Sequence, residues 1–190
     1  MERVGGVRAM GRALQGAVRK AVGGRGTGKV GVDPAGLDVS DEAELARLGR
    51  EVKEAGPERL FYLADAFRAG LSVDEVFSLS FVDPWFLDQI EDIIAAEKVV
   101  ASAGIDALDG KRLRVLKRMG FSDARLAQLA GTDESAIRAL RRAHGVKPVY
   151  KRVDSCAAEF ATTTAYISST CEAECEPQPP ARENIKVPGG

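Results

Sequence analysis

The sequence has few of the residues from which metal sites and disulfide scaffolds are most often built. It has one histidine, His144, and three cysteines among 190 residues. One histidine argues against a histidine-based metal site, and an odd, small number of cysteines favours a reducing compartment over a disulfide framework. No apolar run reaches membrane-spanning length, and the N-terminus lacks the pattern of a signal peptide. We therefore expect a cytoplasmic protein that does not contact a membrane.

The chain also has almost no net charge, but its charges are strongly segregated. The formal total of -1 comprises +6 in residues 1–31, -12 in 32–110, +9 in 111–152 and -4 in 153–190. Segments of opposite sign complement one another within a fold or face outside partners.

Apolar residues recur at helical spacing over most of the chain, which predicts a mainly α fold. Residues 72–75 have capping-box spacing, and Asp83-Pro84 is typical of a helix start. We predict an irregular bundle of about seven helices with a short extended C-terminal segment. The expected core comprises Leu60, Leu63, Phe67, Phe86, Leu87, Ile90, Ile94, Leu113, Leu116, Leu126, Leu129, Ile137 and Leu140.

Residues 121–146 have the layout of a helix-turn-helix, in which two short helices flank Gly131. Arg138, Arg141 and Arg142 in this basic segment would supply phosphate contacts. Paired short helices are also common in any helical domain, so a nucleic-acid-binding module is the alternative interpretation.

The three cysteines do not form a zinc pattern. Cys171 and Cys175 are four residues apart and Cys156 lies upstream, whereas zinc takes four ligands that usually come as Cys-x-x-Cys units. We predict thiols and no metal ligands. The sequence also contains no recognisable nucleophile–base pair and no glycine-rich loop that continues into a helix, so we predict no catalytic residues.

Several stretches taken together resemble one family, the large subunit of carbamoyl-phosphate synthase. ERLFYLADAFRAGLSVDEVF, DPWFLDQIEDI, LKRMGFSDARLAQLAG and, most specifically, PVYKRVDSCAAEFATTTAY resemble its helical middle region, the oligomerisation domain. The opening VGGVRAMGRALQGAVRKA resembles the end of the first synthetase half, and the closing ENIKVPGG resembles the first strand of the second half. Both junctions depart from the family pattern, for example at Gly6 and Pro188. We expect an excised or free-standing relative of the domain.

The resemblance implies four regions. Residues 1–22 are the helix resembling the first half, 23–40 a glycine-rich linker, 41–146 the helical oligomerisation domain, and 147–190 an extended connector to the second half. The expected function is that of a non-catalytic linker and oligomerisation domain, so the chain alone is not expected to be an enzyme. The resemblance also changes the interpretation of the basic segment 111–152, which we expect to make contacts within the protein, with the acidic segment 32–110 as its complement. Nucleic acid is therefore not an expected partner.

The parent subunit implied by this resemblance is an ATP-dependent ligase with two synthetase halves. It makes carbamoyl phosphate, which feeds arginine and pyrimidine synthesis, from bicarbonate and glutamine-derived ammonia. ATP, magnesium and potassium are implied for the parent only, and no cofactor is expected in this chain. The implied partners are the two halves, a glutaminase small subunit reached through the full-length parent, and further copies of the chain.

Two sets of residues are candidate contact sites. We predict that the stripe of Leu45, Leu48 and Val52 on a charged helix is a self-association surface. The candidates for contact with the synthetase halves are Trp85, Lys151, Arg152, Asp154 and Glu159.

Overall fold

The structure is a computed structural model that describes residues 7, 9–11, 13–24, 28–29, 31–37, 41–152 and 167–170. These residues contain eight α-helices, one 3-10 turn at Ile105–Ala107 and two short strands. In chain order they are α1 (Leu14–Gly24), α2 (Glu42–Lys53), α3 (Arg59–Arg68), α4 (Val73–Ser80), α5 (Pro84–Ala103), α6 (Gly110–Arg118), α7 (Asp123–Ala130), α8 (Glu134–Ala143), β1 (Val149–Arg152) and β2 (Ile167–Thr170). The mainly α prediction is confirmed.

Local sequence signals set most of the helix starts. The Ser72 hydroxyl accepts a hydrogen bond from the backbone N–H of Glu75, whose carboxylate accepts one in return from the backbone N–H of Ser72. Asp83 caps α5 by accepting a hydrogen bond from the N–H of Trp85 at 2.9 Å, and Pro84 follows in the first turn. Each cap satisfies backbone donors that have no partner inside the helix.

The first helix extends beyond the predicted helical region 1–22, because it begins at Leu14 and includes Gly23 and Gly24. The cap of α2 is Asp41, the first residue of the predicted helical domain, whose side chain accepts from the N–H of Ala43. Pro57 lies in the turn before α3.

Helix α5 occupies the centre of the fold and packs against α1, α3, α4 and α7. Most of the predicted core is buried, and Leu60, Leu129 and Leu140 are partly buried against it. The prediction that Phe86 belongs to the core is wrong, because 43% of its surface is exposed. The other predicted core residues of α5, Leu87, Ile90 and Ile94, are buried, so the inward face of this helix is narrower than predicted and leaves Phe86 outside it.

Helix α1 approaches the turn between α6 and α7 closely. A Cβ atom at Gly120 would lie 2.9 Å from the Cα of Gly16, and Gly120 has a φ of +86°. Both observations require glycine at this position.

The C-terminal segment forms an antiparallel pair of strands, with Val149 opposite Thr170 and Arg152 opposite Ile167. This pair agrees with the predicted short extended segment. The predicted strand at residues 185–187 lies outside the described residues.

Candidate association surfaces and a buried charge cluster

The predicted self-association stripe on α2 is divided between the core and the surface. Leu48 and Val52 are 3% and 0% exposed and belong to the hydrophobic core. Leu45 lies on the same helix with 39% of its surface exposed. The prediction of a three-residue surface is therefore corrected: a narrow apolar face on a charged helix has the same pattern whether it covers a core or a partner. Leu45 is the one member of the stripe that remains available to a partner.

The predicted contact residues fall into two groups. Trp85 is 55% exposed in the first turn of α5, and its ring packs edge-to-face on Phe86 with centroids 4.9 Å apart. Lys151 and Arg152 lie in β1, opposite Ser168 and Ile167. The other two candidates, Asp154 and Glu159, lie outside the described residues, as do all three cysteines.

A buried cluster of charges connects the acidic and basic segments. Glu97, on the inward face of α5, accepts hydrogen bonds from Arg125 at both carboxylate oxygens, at 3.0 and 2.8 Å. Arg68 on α3 donates a third hydrogen bond at 2.8 Å. Arg19 on α1 lies 3.8 Å from the same carboxylate. One side chain of the acidic segment is therefore shared by arginines from three other helices.

The cluster also fixes the chain between α1 and α2. Arg125 forms an ion pair of 2.9 Å with Asp33, and Arg68 donates to the carbonyl oxygen of Val32. Arg68 further bonds Asp65, which accepts the N–H of Ala35 at 2.8 Å. The predicted glycine-rich linker is thus bound to the helices through its residues 32–35.

Arg19 occupies the least compensated position in the cluster. Its guanidinium lies 3.4 Å above the ring of Phe121, and its three nitrogens have no hydrogen-bond partner among the described residues. Burial, together with the positive charges of Arg125 and Arg68, outweighs the attraction of Glu97 and Asp33 and lowers the pKa of Arg19 to about 10. The side chain nevertheless stays charged at neutral pH.

Two carboxylates are held in their charged form by the basic groups around them. Burial would raise the pKa of Glu97, but the hydrogen bonds and charges of Arg125 and Arg68 lower it below its ordinary value. Asp123 behaves in the same way: burial opposes its charge, and the hydrogen bonds and charges of Lys117 and Arg141 lower its pKa. Both therefore contribute ion pairs and not neutral hydrogen bonds at physiological pH.

The two helices of the predicted helix-turn-helix, α7 and α8, do pack together across Gly131. Two of the arginines assigned to phosphate contacts form ion pairs with carboxylates of the same chain, however. Arg138 pairs with Glu134 at 2.7 Å, and Arg141 pairs with Asp123 at 3.2 Å. The geometry does not favour the nucleic-acid alternative.

Sequence reasoning missed the surface at the junction of α4 and α5. Phe77 and Phe81 are 37% and 77% exposed and pack edge-to-face. The exposed pair Trp85 and Phe86 begins four residues after Phe81. The spacing of Phe77 and Phe81, four residues apart at the end of a short helix, was the available signal.

Within the part of the chain that the structure describes, no group of three or more His, Cys, Asp or Glu side chains could hold a metal ion. The same residues include no helix that is both long and apolar enough to cross a bilayer.

These features define a class of protein: a helical bundle that is held together by a buried cluster of ion pairs and that exposes a few apolar side chains. Its family model matches residues 6–145 and is described as the carbamoyl-phosphate synthetase large chain, oligomerisation domain. The chain belongs to this family. The helix-turn-helix alternative is not supported.

Individual relatives with the corresponding name match this chain over its whole length. The carbamoyl phosphate synthase large chain of Xanthomonas campestris is 61% identical over 190 residues. Those of Pseudomonas aeruginosa and Ralstonia nicotianae are 50% and 51% identical. All of this chain is covered in each case, but it spans 18%, 18% and 17% of the lengths of these three relatives.

Proposed function

We propose that the chain acts as a non-catalytic middle domain of a carbamoyl phosphate synthase large subunit, joining two synthetase halves and associating subunits. Family membership over residues 6–145 supports this role, as does the small share of the relatives' length that the chain covers. The ATP, magnesium and potassium sites of the parent enzyme are then on the synthetase halves.

The parent reaction follows from the same assignment. The full subunit would synthesise carbamoyl phosphate in the cytoplasm from bicarbonate, ATP and glutamine-derived ammonia, with a glutaminase small subunit as its partner. The product would feed arginine and pyrimidine synthesis. The isolated chain should show no ATP turnover, and turnover by the purified chain would contradict the proposal.

Self-association is assigned to the exposed side of α2, and the observation that carries it is the position of Leu45. Leu48 and Val52 anchor α2 in the core, so that Leu45 is presented at 39% exposure by a fixed helix. Helix α2 is anchored a second time where Arg59 donates to the carbonyl oxygen of Val52 at 2.8 Å. A rigid helix loses little conformational freedom when it meets a second copy.

The test replaces Leu45 alone with glutamate and measures molar mass by light scattering. Leu48 is unsuitable, because a carboxylate in the core would unfold the domain. Leu45→Glu should shift the mass toward that of the monomer while the circular dichroism spectrum stays unchanged. Val115→Glu, at an apolar residue of similar exposure on α6, should leave the mass unchanged. An unchanged mass in folded Leu45→Glu would contradict the assignment to α2.

A further inference from the structure

The chain contains one Asp-Gly pair, Asp109-Gly110, and this pair lies at the start of α6. In such a pair the backbone nitrogen of the glycine is close to the side-chain carboxyl of the aspartate, and no side chain shields it. The nitrogen is therefore able to attack the carboxyl carbon. Asp109 is exposed and Gly110 is partly exposed, so water reaches both reacting groups.

The backbone amide of Gly110 is the nucleophile, and it has no hydrogen bond to lose. Gly110 is the first residue of α6, and the first N–H groups of a helix have no partner inside it. Among the residues that the structure describes, this N–H donates no hydrogen bond to a group outside the helix either. Its reaction therefore breaks no contact of the helix.

The carboxyl group of Asp109 is held at the end of the helix by the backbone of Arg112. The N–H of Arg112 donates to Oδ1 of Asp109 at 2.7 Å. When the nitrogen of Gly110 attacks the carboxyl carbon, negative charge develops on the carboxyl oxygens. A fixed backbone donor at one of these oxygens stabilises that charge, as the donors of an oxyanion hole do.

The only histidine in the sequence supplies a base beside the attacking amide. His144 is the C-cap residue of α8, and its ring lies against Gly110. A Cβ atom at Gly110 would lie 3.0 Å from Nδ1 of His144 and 3.1 Å from its Cγ. Imidazole is well suited to take up a proton near neutral pH, and one water is enough to connect a base to the proton that it removes.

We propose that Asp109-Gly110 is a self-modification site, at which Asp109 is converted to isoaspartate in the folded chain. The nitrogen of Gly110 attacks Cγ of the protonated Asp109 carboxyl, and its proton passes to the imidazole of His144. The tetrahedral intermediate takes a proton back from the imidazolium on its hydroxyl group and loses water, which closes a five-membered succinimide.

Water then opens the succinimide at either carbonyl. Opening at Cγ restores aspartate, whereas opening at the main-chain carbonyl of Asp109 gives isoaspartate. The water lost on ring closure is regained on opening, so the conversion changes neither the mass of the chain nor its oxidation state.

The product changes the start of α6. Isoaspartate continues the chain through its side-chain carbonyl, which adds one methylene to the backbone and removes the carboxylate from the N–H of Arg112. Leu113 and Leu116 on the same helix are 0% and 3% exposed, so a loosened first turn weakens the core around them. We expect the modified chain to unfold at a lower urea concentration than the unmodified chain.

The test follows isoaspartate at residue 109 in the folded 190-residue chain. The chain is incubated at neutral pH and physiological temperature, digested, and analysed by mass spectrometry with electron-transfer fragmentation, which distinguishes the two isomers. We expect the succinimide, lighter by one water, to appear first and isoaspartate to follow. Asp41 is the internal control, because it caps α2 through its side chain but precedes Glu42, and it should stay unmodified.

Two variants test the role of His144, and circular dichroism verifies that each is folded. His144→Phe keeps a ring against Gly110 and removes the base, so isoaspartate should form at least about tenfold more slowly than in the wild type. His144→Ala should be equally slow, and free imidazole in the buffer should restore its rate, which a purely structural role of His144 does not allow. In urea, where the ring and the amide are separated, all three chains should react at the same rate.

Three results would overturn the proposal. Isoaspartate that forms in urea but not in the folded wild type would show that the helix cap protects Asp109. Equal rates in the folded wild type and His144→Phe, or no effect of imidazole on His144→Ala, would show that the imidazole takes no part. Equal modification at Asp41 would show that the Asp-Gly pair does not determine the site.

Discussion

Arg125 and Glu97 form a bidentate ion pair inside the bundle, with nitrogen–oxygen distances of 3.0 and 2.8 Å. Arg125 belongs to the basic segment 111–152 and Glu97 to the acidic segment 32–110. The predicted pairing of these segments is therefore present in the structure, and Arg19 and Arg68 meet the same carboxylate. Other ion pairs lie within one segment, such as Arg138 with Glu134. Charge segregation thus identifies the segments that meet but not every pair.

Removing the charge of Glu97 should destabilise the domain strongly. Glu97→Gln leaves the buried Arg19 and Arg125 and the partly buried Arg68 without their shared carboxylate, a change that costs about 3–5 kcal/mol. Urea unfolding followed by circular dichroism measures this loss. The control is Glu91→Gln on the exposed face of the same helix, which should change the free energy of unfolding by less than about 0.5 kcal/mol. Equal effects at both positions would show that the cluster does not stabilise the fold.

Acid should weaken the domain in a defined pH range. Glu97 and Asp123 have lower pKa values in the folded chain than their ordinary values of 4.5 and 3.8. The folded state therefore binds fewer protons than the unfolded state. Their contribution to stability is complete above these ordinary values and is lost as the pH falls through and below them. The urea midpoint should fall over this range, and Asp123→Asn should flatten the fall. A midpoint that does not change with pH would contradict the ion-pair assignment.

Salt should have little effect on the buried cluster. The side chains of Arg19, Glu97 and Arg125 are 1%, 4% and 8% exposed, and buried pairs are screened weakly. We expect added sodium chloride to lower the free energy of unfolding by less than about 1 kcal/mol through screening of exposed pairs such as Arg138–Glu134. A larger loss in thermal or urea melts would indicate that water reaches the cluster.

The contact between α1 and the turn after α6 predicts a difference between two glycines. Gly120 and Gly131 have φ values of +86° and +65°. A Cβ at Gly120 would lie 2.9 Å from Gly16, whereas a Cβ at Gly131 would meet nothing within 4 Å. Gly131→Ala should therefore cost only backbone strain, about 1–2 kcal/mol, and Gly120→Ala should cost clearly more. Equal losses in urea unfolding would contradict the close approach of α1.

Local features of this fold follow from sequence, whereas relationships between distant elements do not. The capping box of Ser72 and Glu75 and the Asp83-Pro84 helix start depend on neighbouring residues, and both were predicted. The burial of Leu48 and the exposure of Phe86 depend on how each helix is turned about its own axis relative to its neighbours. The spacing of apolar residues within one helix does not determine that orientation. The same holds for Arg19, whose burial depends on residues from other helices.

The candidate sites divide in the same way. Trp85 was predicted from its place near a helix start, and its exposure is consistent with a contact role without testing it. The exposed position of Phe81 was missed because it lies in a left-handed turn, a conformation that a phenylalanine does not signal, although its spacing from Phe77 was visible in the sequence. The family resemblance was recognised from continuous stretches of sequence and is confirmed over residues 6–145.

The account depends most directly on self-association, and one measurement tests it: the mass of the wild-type chain by sedimentation equilibrium as its concentration rises. The account predicts a mass above the monomer value of 20.2 kDa that increases with concentration toward a defined oligomer. A mass of 20.2 kDa at every concentration would contradict it.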